Sequence, residues 1–296
     1  MPLVWVMPSI RFRAMMPLLA WSQDAILAHR SGYQVLADYM KAETIVTKRR
    51  DPSAALPLFL TRIARRLACS RWYAGGSLEM ERKLWQRCHQ DFTGLIHLLW
   101  CDRDLGYLDW LVKSPAHPLV GTFHQCADDL PAVIRRPSAL KKFAAIVLMS
   151  DSQRSYFLQH GVAPERLHRI LHGVDVDHFT PLPYDTQGEA FKILAVGGTR
   201  RNFTLMRNVA ETLQDSPSIT FNIVGPPDKQ SILNGLPNVR YHCGITDAAL
   251  LAMYQESSCF LHLPENATAN NAMLEALACG MPVICHRVGG IPEYVT

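Results

Sequence analysis

The sequence predicts an α/β protein of two Rossmann-like, doubly wound domains facing a central crevice. Three observations predict it. The chain has 296 residues, a length at which single hydrophobic cores usually stop growing and chains divide. From about residue 93, short apolar runs alternate with helical patterns, the signature of βαβ units. Those runs are continuous rather than alternating, as strands buried on both faces of a parallel sheet require. After Pro181 the stretch "PLPYDTQGEA" loses apolar content and gathers proline and glycine, which reads as a linker. The boundary placed there gives domains of residues 1–180 and 181–296.

In the first half, 93–100 ("TGLIHLLW"), 117–124 ("HPLVGTFH"), 144–150 ("AAIVLMS") and 167–174 ("LHRILHGV") read as strands. Between them "LPAVIRRPSALKKF" and "SDSQRSYFLQHG" read as helices, the second capped by Ser150 or Asp151 and closed at Gly161. In the second half, strands are expected at 191–198, 219–225, 239–244 and 259–264, and in "MPVICHRV". Helices are expected through "LMRNVAETLQ", "DAALLAMYQES" and "NNAMLEALACG". The first 90 residues are less regular. "AILAHRSGYQVLADYM" fits a strand, a glycine loop and a helix, and 41–90 carries the basic clusters "TKRRD" and "RIARRL" on helical backgrounds. Those clusters are either solvated helix faces or a patch facing anionic lipid or a charged acceptor.

Composition narrows the function classes. Apolar residues make up 48% of the chain and charged residues 19%, a globular balance. A net charge of +4 is too small to argue for nucleic acid, although it suits a phosphorylated substrate or an anionic membrane surface. The eight cysteines form no C-x-x-C and read as reduced, buried thiols of a cytosolic protein. His97 with Cys101, and His242 beside Cys243, are isolated pairs, so no metal site is expected. The opening stretch holds arginines and a short apolar run, but proline interrupts it and no clear small-residue cleavage site follows, so a signal peptide stands only as the lesser alternative. No segment is long and apolar enough for a membrane helix. No G-x-G-x-x-G follows a strand, which sets aside a nicotinamide or flavin enzyme.

Ligands of such folds sit at the carboxyl ends of the strands, and four places there carry chemistry. In "AVGGTRRNFTLM", Gly197 and Gly198 allow a tight turn after a strand. Arg200 and Arg201 stand near the next helix start, where they can fork onto a diphosphate or simply face water. In "HLPENATANNAMLEALACG", Asn270 and Asn271 precede an apolar helix as caps. Glu275 lies one turn inside that helix and can accept ribose hydroxyls, or stand as a surface glutamate favoured by the helix dipole. His124 closes the strand of "LVGTFHQ", fit to orient a hydroxyl or to be a core histidine on a carbonyl. His172 in "LHGVD" either lines the crevice or locks the hinge. Gly32 marks the glycine loop of the first half.

"GTFHQ", "SDSQRSYFLQHGVAPERLHRILHGVDVDHFTP", "AVGGTRRNF" and "MLEALACGMPVICHRVGGIPEYV" together resemble, in order and spacing, retaining GT-B glycosyltransferases of family 4. The resemblance covers roughly residues 93–296 and, weakly, "SGY" at 31–33. It implies a GT-B fold and transfer of a sugar from a UDP-, GDP- or ADP-linked donor to a carbohydrate, lipid or small-molecule hydroxyl. Neither a cofactor nor a catalytic metal is implied, since the nucleotide sugar is a co-substrate. Arg201, with Arg200 close behind, would neutralise the diphosphate, Glu275 would hold the ribose, and His124 would contact the transferred sugar or the acceptor. A cytosolic location is implied, with peripheral contact to the inner membrane face left open.

The sequence departs from that pattern in three places. The family carries two glutamates eight positions apart, but counting back from Glu275 lands on Ala267, and Glu265 is two residues early. Asn266, Thr268, Asn270, Asn271 or backbone amides are left to supply neutral hydrogen bonds in that slot. A lysine usual after the diphosphate arginine is missing from "RRNFTLM". The family's pattern also continues with helices beyond Thr296. These departures keep a second reading open, a degenerate GT-B protein that binds a nucleotide or partner without transfer. A third is a different two-domain α/β enzyme such as a sugar-phosphate epimerase.

Overall fold

A computed structural model describes residues 17–23, 33–48, 58–90, 92–111, 116–182 and 190–295. Gly32 and the strand expected just before it lie outside the described residues. The strands form two parallel sheets, of six and five strands. The first contains β1 (Leu18–Gln23), β2 (Glu43–Lys48), β3 (Ile96–Leu98), β4 (Leu119–Phe123), β5 (Ala145–Leu148) and β6 (Leu167–Arg169), in the order β2-β1-β3-β4-β5-β6. The second contains β7 (Phe191–Val196), β8 (Ile219–Val224), β9 (Val239–His242), β10 (Cys259–His262) and β11 (Val283–Cys285), in the order β11-β10-β7-β8-β9. Every strand predicted after residue 93 is present, trimmed at its ends.

Helices α1 (Tyr33–Met40), α2 (Leu58–Leu67) and α3 (Gly75–Cys88) precede two helical turns, α4 (Cys101–Asp104) and α5 (Leu108–Leu111). Then come α6 (Leu130–Val133), α7 (Arg154–Gln159), α8 (Phe203–Thr212), α9 (Asp247–Glu256) and α10 (Asn271–Ala278). Between β4 and β5 the expected continuous helix is broken. Only α6 forms before a 3-10 turn at Pro137–Lys142, because Pro137 has no N–H and disfavours helical backbone at Arg136. The helix expected to open at Ser150 or Asp151 begins as a 3-10 turn, Asp151–Gln153, and becomes α7 only at Arg154; the Gln153 carboxamide oxygen accepts the Met149 and Ser150 amides at 2.7 and 3.3 Å. Gly161 ends it with φ +75.

The first 90 residues hold the main difference from expectation. "LLAWSQ", part of the proline-interrupted opening stretch, is β1, which pairs with both β2 and β3 in the sheet interior. Its buried face is specified by partners far away in sequence, so no local period marks it. β2 likewise stands where helix was expected.

Continuous burial confirms the two-faced character of the strands: all five residues of β4 and all four of β5 are buried. Phe123, Phe143 and Phe157 centre the main core of the first half. In the second half, two cores cover the faces of one sheet, around Phe221 on one side and Phe260 with Tyr254 on the other. All eight cysteines are free thiols. His97 Nε2 lies 2.7 Å from the Thr122 hydroxyl. No helix among the described residues is long and apolar enough to cross a membrane.

Candidate active site

The carboxyl ends of the two sheets face each other, and side chains from both halves meet there. On the first half, β3 ends in "WCDRD", where Asp102, Arg103 and Asp104 are all buried. Burial of three charges is costly unless each is paired, and here they tie strand ends together. Asp104 accepts from the Ser22 amide at 2.7 Å and from the Ser22 and Ser77 hydroxyls. Burial raises its pKa, against the pull of Arg103. The Arg103 guanidinium lies 4.8 Å from the Trp100 ring centre and donates to the Ser22 carbonyl.

Asp102 serves the neighbouring strand. Its Oδ1 accepts from the His124 backbone amide at 2.9 Å and lies 3.2 Å from His124 Nδ1. That carboxylate favours the proton on Nδ1, which leaves Nε2 to accept from the Tyr33 hydroxyl in contact with it. The imidazole stacks on Trp100 with centres 3.9 Å apart. Tyr33 also meets Trp100 and His172 edge-on. His172 is half-buried, and desolvation, followed by the charge of His124, lowers its pKa to about 4. Its side chain bonds Asn271 of the other half.

On the second half, β7 runs into Gly197 with φ +103, and a Cβ there would lie 3.1 Å from Arg201 Nη2. Only glycine both adopts that backbone and leaves room for the guanidinium. A Cβ at Gly198 would lie 2.6 Å from the Pro226 ring. Arg201 is held from below: Nε and Nη1 each donate at 3.3 Å, to the Val196 and Thr199 carbonyls. Desolvation lowers its pKa to about 10, and among the described residues it makes no ion pair. Arg200 behaves differently. Its backbone is left-handed, φ +52, and its guanidinium pairs across the crevice with Asp129. The structure therefore does not bring the two arginines together on one anion.

Glu275 is 4% exposed, which removes the reading of a surface glutamate. Its Oε2 accepts from the Tyr254 hydroxyl at 2.8 Å. The Tyr254 hydroxyl sits in the field of both Glu275 and Arg201, and desolvation raises its pKa well above the usual phenol value. Asn270 caps α10, accepting the Met273 amide at 3.0 Å.

The neutral loop that replaces the expected glutamate is engaged within the protein. Asn266 Oδ1 accepts the Ala267 amide at 2.9 Å, and the Thr268 hydroxyl donates to the His124 carbonyl at 2.6 Å. The Ala267 carbonyl accepts the Gly290 amide at 2.8 Å. A Cβ on Gly289 would lie 2.2 Å from that carbonyl, so the "VGG" turn is shaped to this loop. Glu265 instead lines a cavity of about 420 Å³ between the halves, with Cys126, Asp128, Ser152 and Asn266. Further along, Glu293 accepts the Asp151 amide at 2.9 Å and pairs with Arg169 at 3.0 Å. The Tyr294 hydroxyl donates to the Met149 carbonyl and accepts the His172 amide.

Of the residues predicted from sequence, Gly197, Gly198, Arg201, Asn270, Asn271, Glu275, His124 and His172 face or support this crevice, Arg200 reaches the opposite wall, and Gly32 is outside the described residues. Sequence reasoning missed Asp102, Tyr33 and Trp100, and it named Thr268 only as a stand-in for the missing glutamate, not as a partner of the His124 carbonyl. Three charges directly after an apolar strand, "WCDRD", were a readable signal for Asp102; Tyr33 and Trp100 carry none that separates them from core aromatics.

Over 199 residues the chain is 25% identical to sulfoquinovosyl transferase SQD2 of Arabidopsis thaliana, a match covering 63% of this chain and 36% of that protein. Over 158 residues it is 27% identical to a component of the human phosphatidylinositol N-acetylglucosaminyltransferase, covering 50% of this chain and 32% of that protein. The match thus spans about a third of each of these relatives. The structure superposes on Anabaena HepE in complex with UDP-glucose with a TM-score of 0.64 at 16% identity, covering 95% of this chain and 83% of HepE. The fold is GT-B. Residues 190–296 match the family described as glycosyl transferases group 1, and that segment contains Gly197, Arg201, the neutral loop and Glu275.

Proposed function

We propose that this chain is a glycosyltransferase that moves a sugar from a nucleotide sugar to an acceptor hydroxyl with retention of configuration. Residues 181–296 hold the donor and residues 1–180 the acceptor. The observation that carries this reading is the placement of Arg201 and Glu275 around Tyr254 in the segment matching the group 1 family, opposite the Asp102-oriented His124. Arg201, without a carboxylate partner among the described residues and backed by carbonyls, neutralises the diphosphate. Glu275 accepts the ribose hydroxyls.

In the reaction the bond from the anomeric carbon to the donor phosphate oxygen breaks and a bond to the acceptor oxygen forms on the same face. The acceptor proton passes to the departing phosphate, so the products are a glycoside and a nucleoside diphosphate. Arg201 and the α10 amino terminus stabilise the charge that develops on that phosphate. His124 positions the sugar or acceptor, its ring fixed by Asp102 and Trp100. Arg201 takes the part a divalent ion plays elsewhere, so turnover is expected to survive EDTA. UDP in HepE and phosphatidylinositol in the name of the human relative support testing UDP donors and lipid acceptors first. Free thiols and nucleotide-sugar chemistry support a cytosolic location.

Calorimetric titration with UDP, GDP and ADP tests the donor site. Binding of one of them, lost in Arg201→Ala and weakened in Glu275→Gln, is expected. Folded protein that binds none of the three removes the basis of the proposal, and binding without turnover on any acceptor would instead favour a binding-only protein.

A further inference from the structure

The basic cluster "RIARRL" has no part in the crevice, and the structure gives it a surface of its own. Residues 58–74 contain four arginines and no acidic residue. Arg62, Arg65, Arg66 and Arg71 are all exposed. Among them stand three large apolar side chains, Ile63, Leu67 and Trp72, at 40, 62 and 41% exposure. Single exposed apolar residues are ordinary. This corner concentrates three of them within ten positions, among the arginines.

The helical register explains the arrangement. Ile63 and Leu67 are four residues apart on one stripe of α2, and Arg62 and Arg66 repeat that spacing directly beside it. The helix is fixed to the protein elsewhere: the Tyr107 hydroxyl donates to the Ala64 carbonyl. Arg135 caps the helix end on the Arg65 and Arg66 carbonyls at 2.7 and 3.0 Å, adding a fifth guanidinium to the corner. Residues 69–71 are pinned in turn, Arg71 donating its amide to the Val133 carbonyl, which presents Trp72 beside the helix end.

We propose that α2 with Arg71 and Trp72 is a docking surface for an anionic lipid membrane. Guanidiniums on one flank meet phosphate headgroups, while Ile63, Leu67 and Trp72 enter the boundary between headgroups and acyl chains. A nucleic acid would reward the arginines but not an exposed aliphatic stripe. The surface stands independently of the glycosyl-transfer reading, because it uses no residue of the crevice.

The test is co-sedimentation of the purified full chain with vesicles of phosphatidylcholine, with and without phosphatidylglycerol. Binding is expected only with phosphatidylglycerol and is expected to weaken as salt rises. Reversing one charge in Arg66→Glu is expected to lower partitioning about thirtyfold, at roughly fivefold per unit charge. Leu67→Ser is expected to lower it at every salt concentration. Arg240→Glu, the same charge change on the exposed side of the second sheet, leaves it within about twofold of the parent on the short reach of the headgroup field. Both helix positions are exposed, so folding is checked by circular dichroism. The proposal is overturned by absence of sedimentation with anionic vesicles, by equal losses in Arg66→Glu and Arg240→Glu, or by retention on RNA without binding to vesicles.

Discussion

His124 and His262 stand at matching places, each at the carboxyl end of an inner strand of its sheet, and their surroundings could hardly differ more. His124 has a carboxylate on Nδ1, a phenol on Nε2 and an indole under its face. His262 is 1% exposed, and neither of its ring nitrogens has a hydrogen-bond partner among the described residues. Desolvation, then the charges of Arg201 and His286, push its pKa down to about 3. The first half thus builds a wired polar centre out of buried charges. The second keeps a buried, neutral imidazole wall beside a cation. A guanidinium in such a wall acts on an incoming anion with little solvent screening, which is why the two halves have different work under the proposed reaction.

The comparison breaks first at Arg201. Replacing it with Ala is expected to lower kcat/KM about 10² to 10³-fold, the scale seen when one stabilising donor is removed from a developing charge. Steady-state kinetics with the preferred donor check this, and a change under about fivefold would transfer the role to another residue. Asp102→Asn comes next, at roughly 10 to 100-fold in kcat with donor affinity retained, because the amide no longer selects the Nδ1–H form of His124. Nitrogen-15 chemical shifts of the His124 ring are expected to move with it, a readout that a purely structural aspartate would not give.

His262 sharpens the contrast through pH. Its folded pKa lies below its unfolded one, so the unfolded chain takes up the extra proton and stability falls as pH drops from about 6.5 towards 3. His262→Phe removes that term. Relative to pH 7, the variant is expected to gain about 2 kcal/mol over the parent by pH 5, measured by urea unfolding at both values. A constant difference would mean that His262 is solvated or partnered in solution. The smallest effect is expected at the crossing contact of Arg200 with Asp129. That pair is partly exposed, so Arg200→Ala should change stability by about 0–1 kcal/mol and donor affinity far less than Arg201→Ala.

The second half was legible almost strand by strand because its βαβ units are local: each buried strand is bounded by its own turn and followed by its own helix pattern. Arg201 and Glu275 could be picked as candidates the same way, since each stands near a helix start, whereas Ala267 stands out only through the glutamate spacing that the family resemblance implies. β1 and β2 could not, because their faces are defined by partners distant in the chain. The same reason hid the crevice of the first half. Asp102 and Tyr33 meet the two nitrogens of His124, and Thr268 meets its carbonyl from the other half, and none of these pairings leaves a period in the sequence. Arg200 shows the limit from the other side, since adjacency to Arg201 predicted a shared anion and the left-handed backbone at residue 200 directs it elsewhere.

The most direct measurement of the central claim is product analysis by mass spectrometry. Purified protein is incubated with UDP-, GDP- and ADP-linked sugars and with carbohydrate and phosphatidylinositol acceptors, alongside Arg201→Ala. The account predicts a glycosylated acceptor and an equal amount of one nucleoside diphosphate, in the presence of EDTA, with both products lost in the variant. Folded protein that binds no nucleoside diphosphate and forms neither product, or that forms them undiminished without Arg201, would contradict it.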